Sequence, residues 1–237
     1  MRIFPLLTKR AKWVTFFPPG GRAVRLPEFR RGRAGFVGRF PPLIALAVFV
    51  VLATAPAPAL GHPHIWIETA ATFVFERGRL TAIRIEWTLD EMFSDSLIGS
   101  FDKNRNKRFD EGELRELREK AFDNLKELGF LTHLHIGGKV TPVASVSNFT
   151  AAVAHGRVIY RFTVRLPTPV DPVATPVRLA AYDPTYFVQM DFQEEAPVRF
   201  EGRPEGACQY DIQEDKTTPI YFGMVFPQEI RLVCKQP

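Results

Sequence analysis

The sequence predicts a mainly β chain: an antiparallel β-sandwich interrupted by a two-helix, EF-hand-like insertion. Three observations carry that expectation. From residue 64 onward apolar residues alternate with period two. Many short strand-like stretches follow, set apart by Pro-rich turns such as "LPTPVDPVATPV" and "AYDPTYF". Over 91–129 the alternation gives way to helix formers.

The chain divides into a leader, 1–61, and one domain, 62–237. The leader carries ten Lys/Arg and one acidic residue, Glu28, out of totals of 31 and 26. What remains is 31−10=21 basic and 26−1=25 acidic residues, so the domain is slightly acidic and the basic charge belongs to the leader. A basic patch of that origin gives no argument for nucleic-acid binding. "RRGRAGFVGRF", the apolar run "LIALAVFVVLA" (43–53) and the small residues of "TAPAPALG" have the order of an export signal. Cleavage is expected near Ala59–Gly61, which places the domain in the periplasm with no stable membrane span. An uncleaved N-terminal anchor is the alternative.

Within the domain, Ile65, Ile67, Thr69, Ala71, Phe73 and Phe75 share one strand face. After the "ERGR" turn, Ile83, Ile85, Trp87 and Leu89 do the same, which makes a β-hairpin. In the helical insertion, Leu114, Leu117, Ala121, Leu125 and Leu128 follow helical spacing, and Gly129 marks a stop. Further strands are expected near 131–136, 139–147, 157–166, 177–182, 185–192, 197–201, 206–212 and 229–234. Cys208 and Cys234 sit on two late strands. In an exported chain they most simply form one disulfide, worth roughly 3 kcal/mol by loop entropy; thiol metal ligation is the alternative reading.

The chemistry-bearing pattern of the insertion is "DKNRNKRFDEGE", 102–113. Set on a helix–loop–helix calcium loop, Asp102, Asn104, Asn106, Asp110 and Glu113 fall at positions 1, 3, 5, 9 and 12. These are the oxygen ligands calcium prefers. Lys107 stands at position 6, where the sharp turn calls for glycine, and Lys103, Arg105, Lys107 and Arg108 oppose a cation. A loop capped by Asp110 that only joins two helices is the competing reading.

"ALGHPHIWIE" (59–68) puts His62 and His64 at the expected new N-terminus. A cut after Gly61 sets the α-amino group and imidazole of His62 beside His64. A cut after Ala59 gives Leu60-Gly61-His62, whose amine, two amides and imidazole form a square-planar nitrogen set suited to Cu(II) or Ni(II). "THLHIG" adds His133 and His135 on one strand side, with Glu68, Glu86 and Asp183 as carboxylates able to complete a site. His155 in "AHGR" reads as an exposed turn residue. The chain holds no G-x-S-x-G, no phosphate-cradling glycine loop and no CxxC.

"HPHIWIE", "EWTLDEMFS", the D-x-N-x-N loop leading to "FDEGEL", and "YDPTYF", in this order, resemble the bacterial periplasmic family called domain of unknown function 1007. The resemblance covers nearly all of 62–237. Such proteins are labelled the periplasmic component of an uncharacterised ABC-type transport system and are associated with nickel/cobalt-type efflux permeases. The resemblance carries over no settled activity and implies a role in transition-metal handling; with the His62/His64 pair after an export signal, supported by His133 and His135, the expectation is a non-enzymatic metal-binding accessory for a divalent transition metal (Ni, Co, Zn or Cu), with a membrane metal permease or efflux transporter as partner. The resemblance carries over His62 and His64 as the N-terminal pair, Asp102, Asn104, Asn106 and Glu113 as the calcium-like loop, and Cys208 and Cys234 as the late cysteine pair. Lys107 departs from the family's glycine. Two further readings stand beside this one: a calcium-dependent structural module of the cell envelope, and a copper oxygenase using an N-terminal histidine chelate, which requires the cut after Gly61.

Overall fold

A computed structural model of the chain describes residues 64–203 and 206–235, so the leader and His62 lie outside the described residues. The hairpin comes first: β1 (Ile65–Glu76) and β2 (Arg79–Leu89) pair antiparallel with Thr69 opposite Trp87 and Ala71 opposite Ile85. Its turn uses Arg77 and Gly78, both at positive φ, as a two-residue hairpin turn requires.

Helix α1 (Glu91–Phe101) starts at Asp90, whose Oδ1 accepts the Phe93 N–H at 2.8 Å. Helix α2 (Glu111–Leu117) opens with a capping box between Asp110 and Glu113. The chain continues through a π-helical turn, Arg118–Phe122, and a 3-10 stretch, Asp123–Leu131. The strands that follow are β3 (Thr132–Ile136), β4 (Lys139–Thr141), β5 (Ser147–Ala154), β6 (Arg157–Val170), β7 (Val177–Ala181), β8 (Val188–Phe192), β9 (Val198–Glu201), β10 (Cys208–Glu214) and β11 (Gln228–Cys234).

Two sheets result. One runs β5-β6-β2-β1, with β8 and β9 both pairing with β1; the other runs β10-β11-β7-β3-β4. The sandwich is mainly antiparallel, but β8 and β9 lie parallel to β1, each on one half of it. Inner-face residues of both sheets, including Phe73, Trp87, Phe162, Leu134, Leu179 and Ile230, bury together in one core.

The insertion plugs this core through Phe122, fully buried and stacked on Phe149 at 4.2 Å and on Phe130 at 5.3 Å. Helical spacing in the sequence passes over Phe122, because it assumes a continuous α-helix. The π turn adds a residue per turn and rotates the face, so Phe122 faces inward while Leu128 is left 48% exposed. Gly129 does end the helix, at φ 62, and Phe130 and Leu131 follow in the same left-handed region.

The expected strand over 139–147 is instead β4, which stops at Thr141 before Pro142, followed by an irregular link. Strand β5 lies outside the expected strands, because its "SNFTAAVA" hides the alternation behind alanines. Strand β8 begins at Val188 rather than near 185 because Asp183 caps a turn after Tyr182.

Candidate metal centres

The loop between α1 and α2 takes the calcium-loop shape from its own side chains. Asp102, 6% exposed, accepts the N–H of Asn106 on Oδ1 (3.1 Å) and that of Lys107 on Oδ2 (2.9 Å). Glu113, also 6% exposed, accepts from Lys103 N (2.9 Å), Asn104 N (3.4 Å) and Asp110 N (3.0 Å). Asp110 Oδ1 accepts the N–H groups of Gly112 and Glu113 at 3.0 Å, and its Oδ2 accepts from Asn104 Nδ2 at 3.3 Å. Asn104 and Asn106 close Asx turns on the N–H groups of Asn106 and Arg108. Lys107 sits at φ 59, the left-handed geometry that position 6 demands, without being glycine.

All six oxygens of the three carboxylates therefore receive a donor from the loop itself. One of the four cations is also turned away: Lys103 reaches Glu116, which Lys120 holds from the other side at 2.7 Å. Together they keep the Glu116 carboxyl down at about 2, the Lys103 hydrogen bond being the larger cause.

Two of the histidines, His64 and His133, each touch a different element, the 182–187 connection that leads from β7 in one sheet to β8 in the other. Asp183, 5% exposed, folds it: Oδ1 accepts the Thr185 N–H at 2.9 Å and Oδ2 accepts the Val188 N–H at 3.1 Å. At one end Phe187 lies 4.8 Å from the His64 ring and accepts the His64 backbone N–H at 2.9 Å. At the other end Tyr182 stacks on His133, with ring centroids 3.6 Å apart and planes within 8°. Residue His64 heads β1 with its side chain exposed. Asp90 fixes the strand there by accepting the Trp66 N–H at 2.9 Å.

His133 Nε2 lies 3.0 Å from the Tyr182 carbonyl. A carbonyl only accepts, so Nε2 carries the proton and Nδ1 is left as the electron-pair donor. This is the orientation found behind metal-binding imidazoles. Burial holds the ring below the ordinary histidine value, the Tyr182 carbonyl opposes that, and neighbouring His135 adds to it. The two histidines do share one strand side, opposite the buried Leu134.

The expected supporting carboxylates are engaged elsewhere. Glu68 pairs with Arg157 at 2.9 Å, Glu86 with Arg161 at 2.6 Å, and Asp183 serves its turn. Among the described residues no three His, Cys, Asp or Glu side chains group closely enough to hold a metal. Residues Cys208 and Cys234 stand directly opposite each other on β10 and β11 and form a disulfide, so the thiol-ligand reading is set aside. His155 lies in the β5–β6 turn at φ 52, exposed as expected.

Sequence reasoning missed one polar centre. Glu229, 1% exposed on the outer side of β11, is held by Arg178 Nη1 at 3.3 Å and Arg231 Nε at 2.6 Å. The alternation of "QEIRLVC" marks Glu229 and Arg231 as one face, but nothing local shows that the face is covered.

Comparison with known proteins gives no activity. The chain is 36% identical over 131 residues to an "Uncharacterized 15.5 kDa protein in trpE 3'region" of Spirochaeta aurantia, covering 55% of this chain and 93% of that protein. It is 26% identical over 195 residues to an "Uncharacterized protein" of Haemophilus influenzae, covering 74% of this chain and 92% of that protein. Residues 47–234 match the family model described as "Protein of unknown function (DUF1007)", and the chain belongs to that family.

Proposed function

We propose that the chain is an exported, non-catalytic accessory protein that binds a divalent transition metal (Ni, Co, Zn or Cu) for a membrane permease or efflux transporter. The metal is held at the matured N-terminus by the new α-amino group, His62 and His64. The observation that carries the reading is the placement of His64. Its backbone is tied to Phe187 and its imidazole is exposed at the head of β1, directly after the expected cleavage segment. A terminal amine next to two imidazoles gives nitrogen donors suited to these ions, with the affinity order favouring copper. The Cys208–Cys234 disulfide is in keeping with an oxidising, periplasmic location.

Isothermal titration of the secreted protein with each metal tests this. The His62→Ala/His64→Ala variant is expected to lose roughly tenfold or more in affinity, and His133→Ala/His135→Ala to lose less. Equal affinity in wild type and the first variant overturns the reading. Mass spectrometry of the secreted N-terminus separates its forms: Leu60 as first residue gives the square-planar set and excludes the oxygenase geometry, and retention of residues 43–53 removes the chelate.

A second reading, a calcium-dependent module of the cell envelope, is favoured by the left-handed Lys107 and the buried Asp102 and Glu113. Calcium binding only the native state raises the melting temperature. The same melt in chelator and in millimolar calcium ends this reading.

A further inference from the structure

The outer face of the β5-β6-β2-β1 sheet carries a concavity that neither metal reading uses. Its volume is about 440 Å³, within the size range of small-molecule sites. Cross-strand register builds it. Arg84 lies between Thr72 and Thr163, Arg161 lies between Glu86 and Thr150, and Arg199 on β9 lies beside Thr72. Residues directly opposite in a ladder share a face, so these side chains stand on one side.

The floor is small and covered. Ala70 is 1% exposed and Thr163 7% exposed, although both point away from the core, and Arg84, Arg161 and Arg199 line the same hollow. Two guanidiniums are partly neutralised: Arg84 pairs with Glu201, and Arg161, which lines the concavity, uses its Nε on Glu86 at 2.6 Å. Arg199 has no ion pair among the described residues. The domain as a whole is slightly acidic, so three guanidiniums converging on one hollow run against its average charge.

We propose that this concavity binds a small oxyanion of the carboxylate or phosphate class. Arg199 supplies the bidentate fork such groups favour. Arg84 and Arg161 frame the charge, and the Thr72 and Thr163 hydroxyls on the floor donate to the remaining oxygens. Glu86 opposite Arg161 sets a limit on the charge the hollow accepts, since a large polyanion would meet it.

The test is calorimetric titration of the full mature protein with citrate and, separately, with inorganic phosphate, at about 0.15 M NaCl so that long-range attraction is screened. Saturable binding of either anion with a Kd below about 1 mM is expected. Arg199→Gln on the exposed edge strand should weaken it roughly tenfold, and Thr163→Val should weaken it while leaving the melting temperature near wild type. Lys139→Gln, on the other sheet, should change nothing. Citrate alone or phosphate alone each supports the site and assigns its class. The proposal is overturned by absence of saturable heat for both anions, by equal affinity in Arg199→Gln, or by an equal effect of NaCl at matched ionic strength. The His62→Ala/His64→Ala variant should bind the anion as wild type does, so this site and the metal reading fail separately.

Discussion

The 102–113 loop and the histidine end both hold metal-type side chains, and they solve opposite problems. In the loop every carboxylate oxygen of Asp102, Asp110 and Glu113 is already met by a donor from the loop itself. There the carboxylates themselves hold the shape. At the histidine end, Asp183 and the backbone fix the 182–187 connection, and the imidazoles of His64 and His133 only lean on it. Shape is built by one set of groups and chemistry is left to another. In the loop, candidate ligands and scaffold are the same groups. On the proposed function, an end whose candidate ligands are not its scaffold could release or exchange an ion without unfolding.

That contrast predicts unequal responses to truncation. Glu113→Ala strips the acceptor from three loop N–H groups, so it should destabilise the protein by about 3 kcal/mol. His64→Ala, which removes an exposed ring together with its contact on Phe187, should cost less, about 0.5 kcal/mol. Urea denaturation midpoints measure both. Similar losses for the two variants would break the comparison.

Within the histidine end, the scaffold itself should be the sensitive part. Asp183→Ala leaves the Thr185 and Val188 N–H groups without their acceptor and should cost about 2 kcal/mol by the same measurement. Because Phe187 then loses its anchor, the first residues of β1 should lose hydrogen-exchange protection before the rest of the sheet. Uniform loss of protection would show that the connection does not act locally on His64.

The loop was legible in the sequence and the histidine end was not, for a physical reason. Asp102, Asn104, Asn106, Asp110 and Glu113 interact within a dozen residues, so spacing alone reports their geometry. Tyr182 meets His133, and Phe187 meets His64, only after two sheets have assembled. The engagement of Glu68 by Arg157 and of Glu86 by Arg161 depends on strand register in the same way. The hairpin, the two sheets, the insertion and the cysteine pair follow from period, turns and composition. Phe122 and β5 escaped because a π turn and a run of alanines mask their periods.

Lys107→Gly tests what the residue at position 6 does to the loop. Glycine takes φ 59 without the side-chain penalty, so stability should rise by about 1 kcal/mol or less, offset in part by the freer unfolded chain. It also removes one cation. A calcium-dependent gain in melting temperature in this variant, absent in wild type, would sharpen the comparison by tracing the block on calcium binding to that position. A gain in wild type as well would break it.

The smallest effect concerns protons at the histidine end. His133 is held below the ordinary value of 6.5, first by burial and then by His135, against the pull of the Tyr182 carbonyl. The folded state therefore binds fewer protons than the unfolded chain as pH falls through that value, and unfolding free energy should drop with it. Above it, both states carry the neutral ring and the contribution is flat. His133→Gln removes the titration, so the difference in urea midpoint between about pH 7.5 and pH 5.5 should be smaller in the variant than in wild type. Loss of stability toward acid weakens the stack on Tyr182, but the loop's carboxylates keep their N–H donors over the same interval. Hydrogen exchange should accordingly show β3 opening while 102–113 stays protected; the reverse order would place the pH-sensitive scaffold in the loop and undo the division of labour between the two regions.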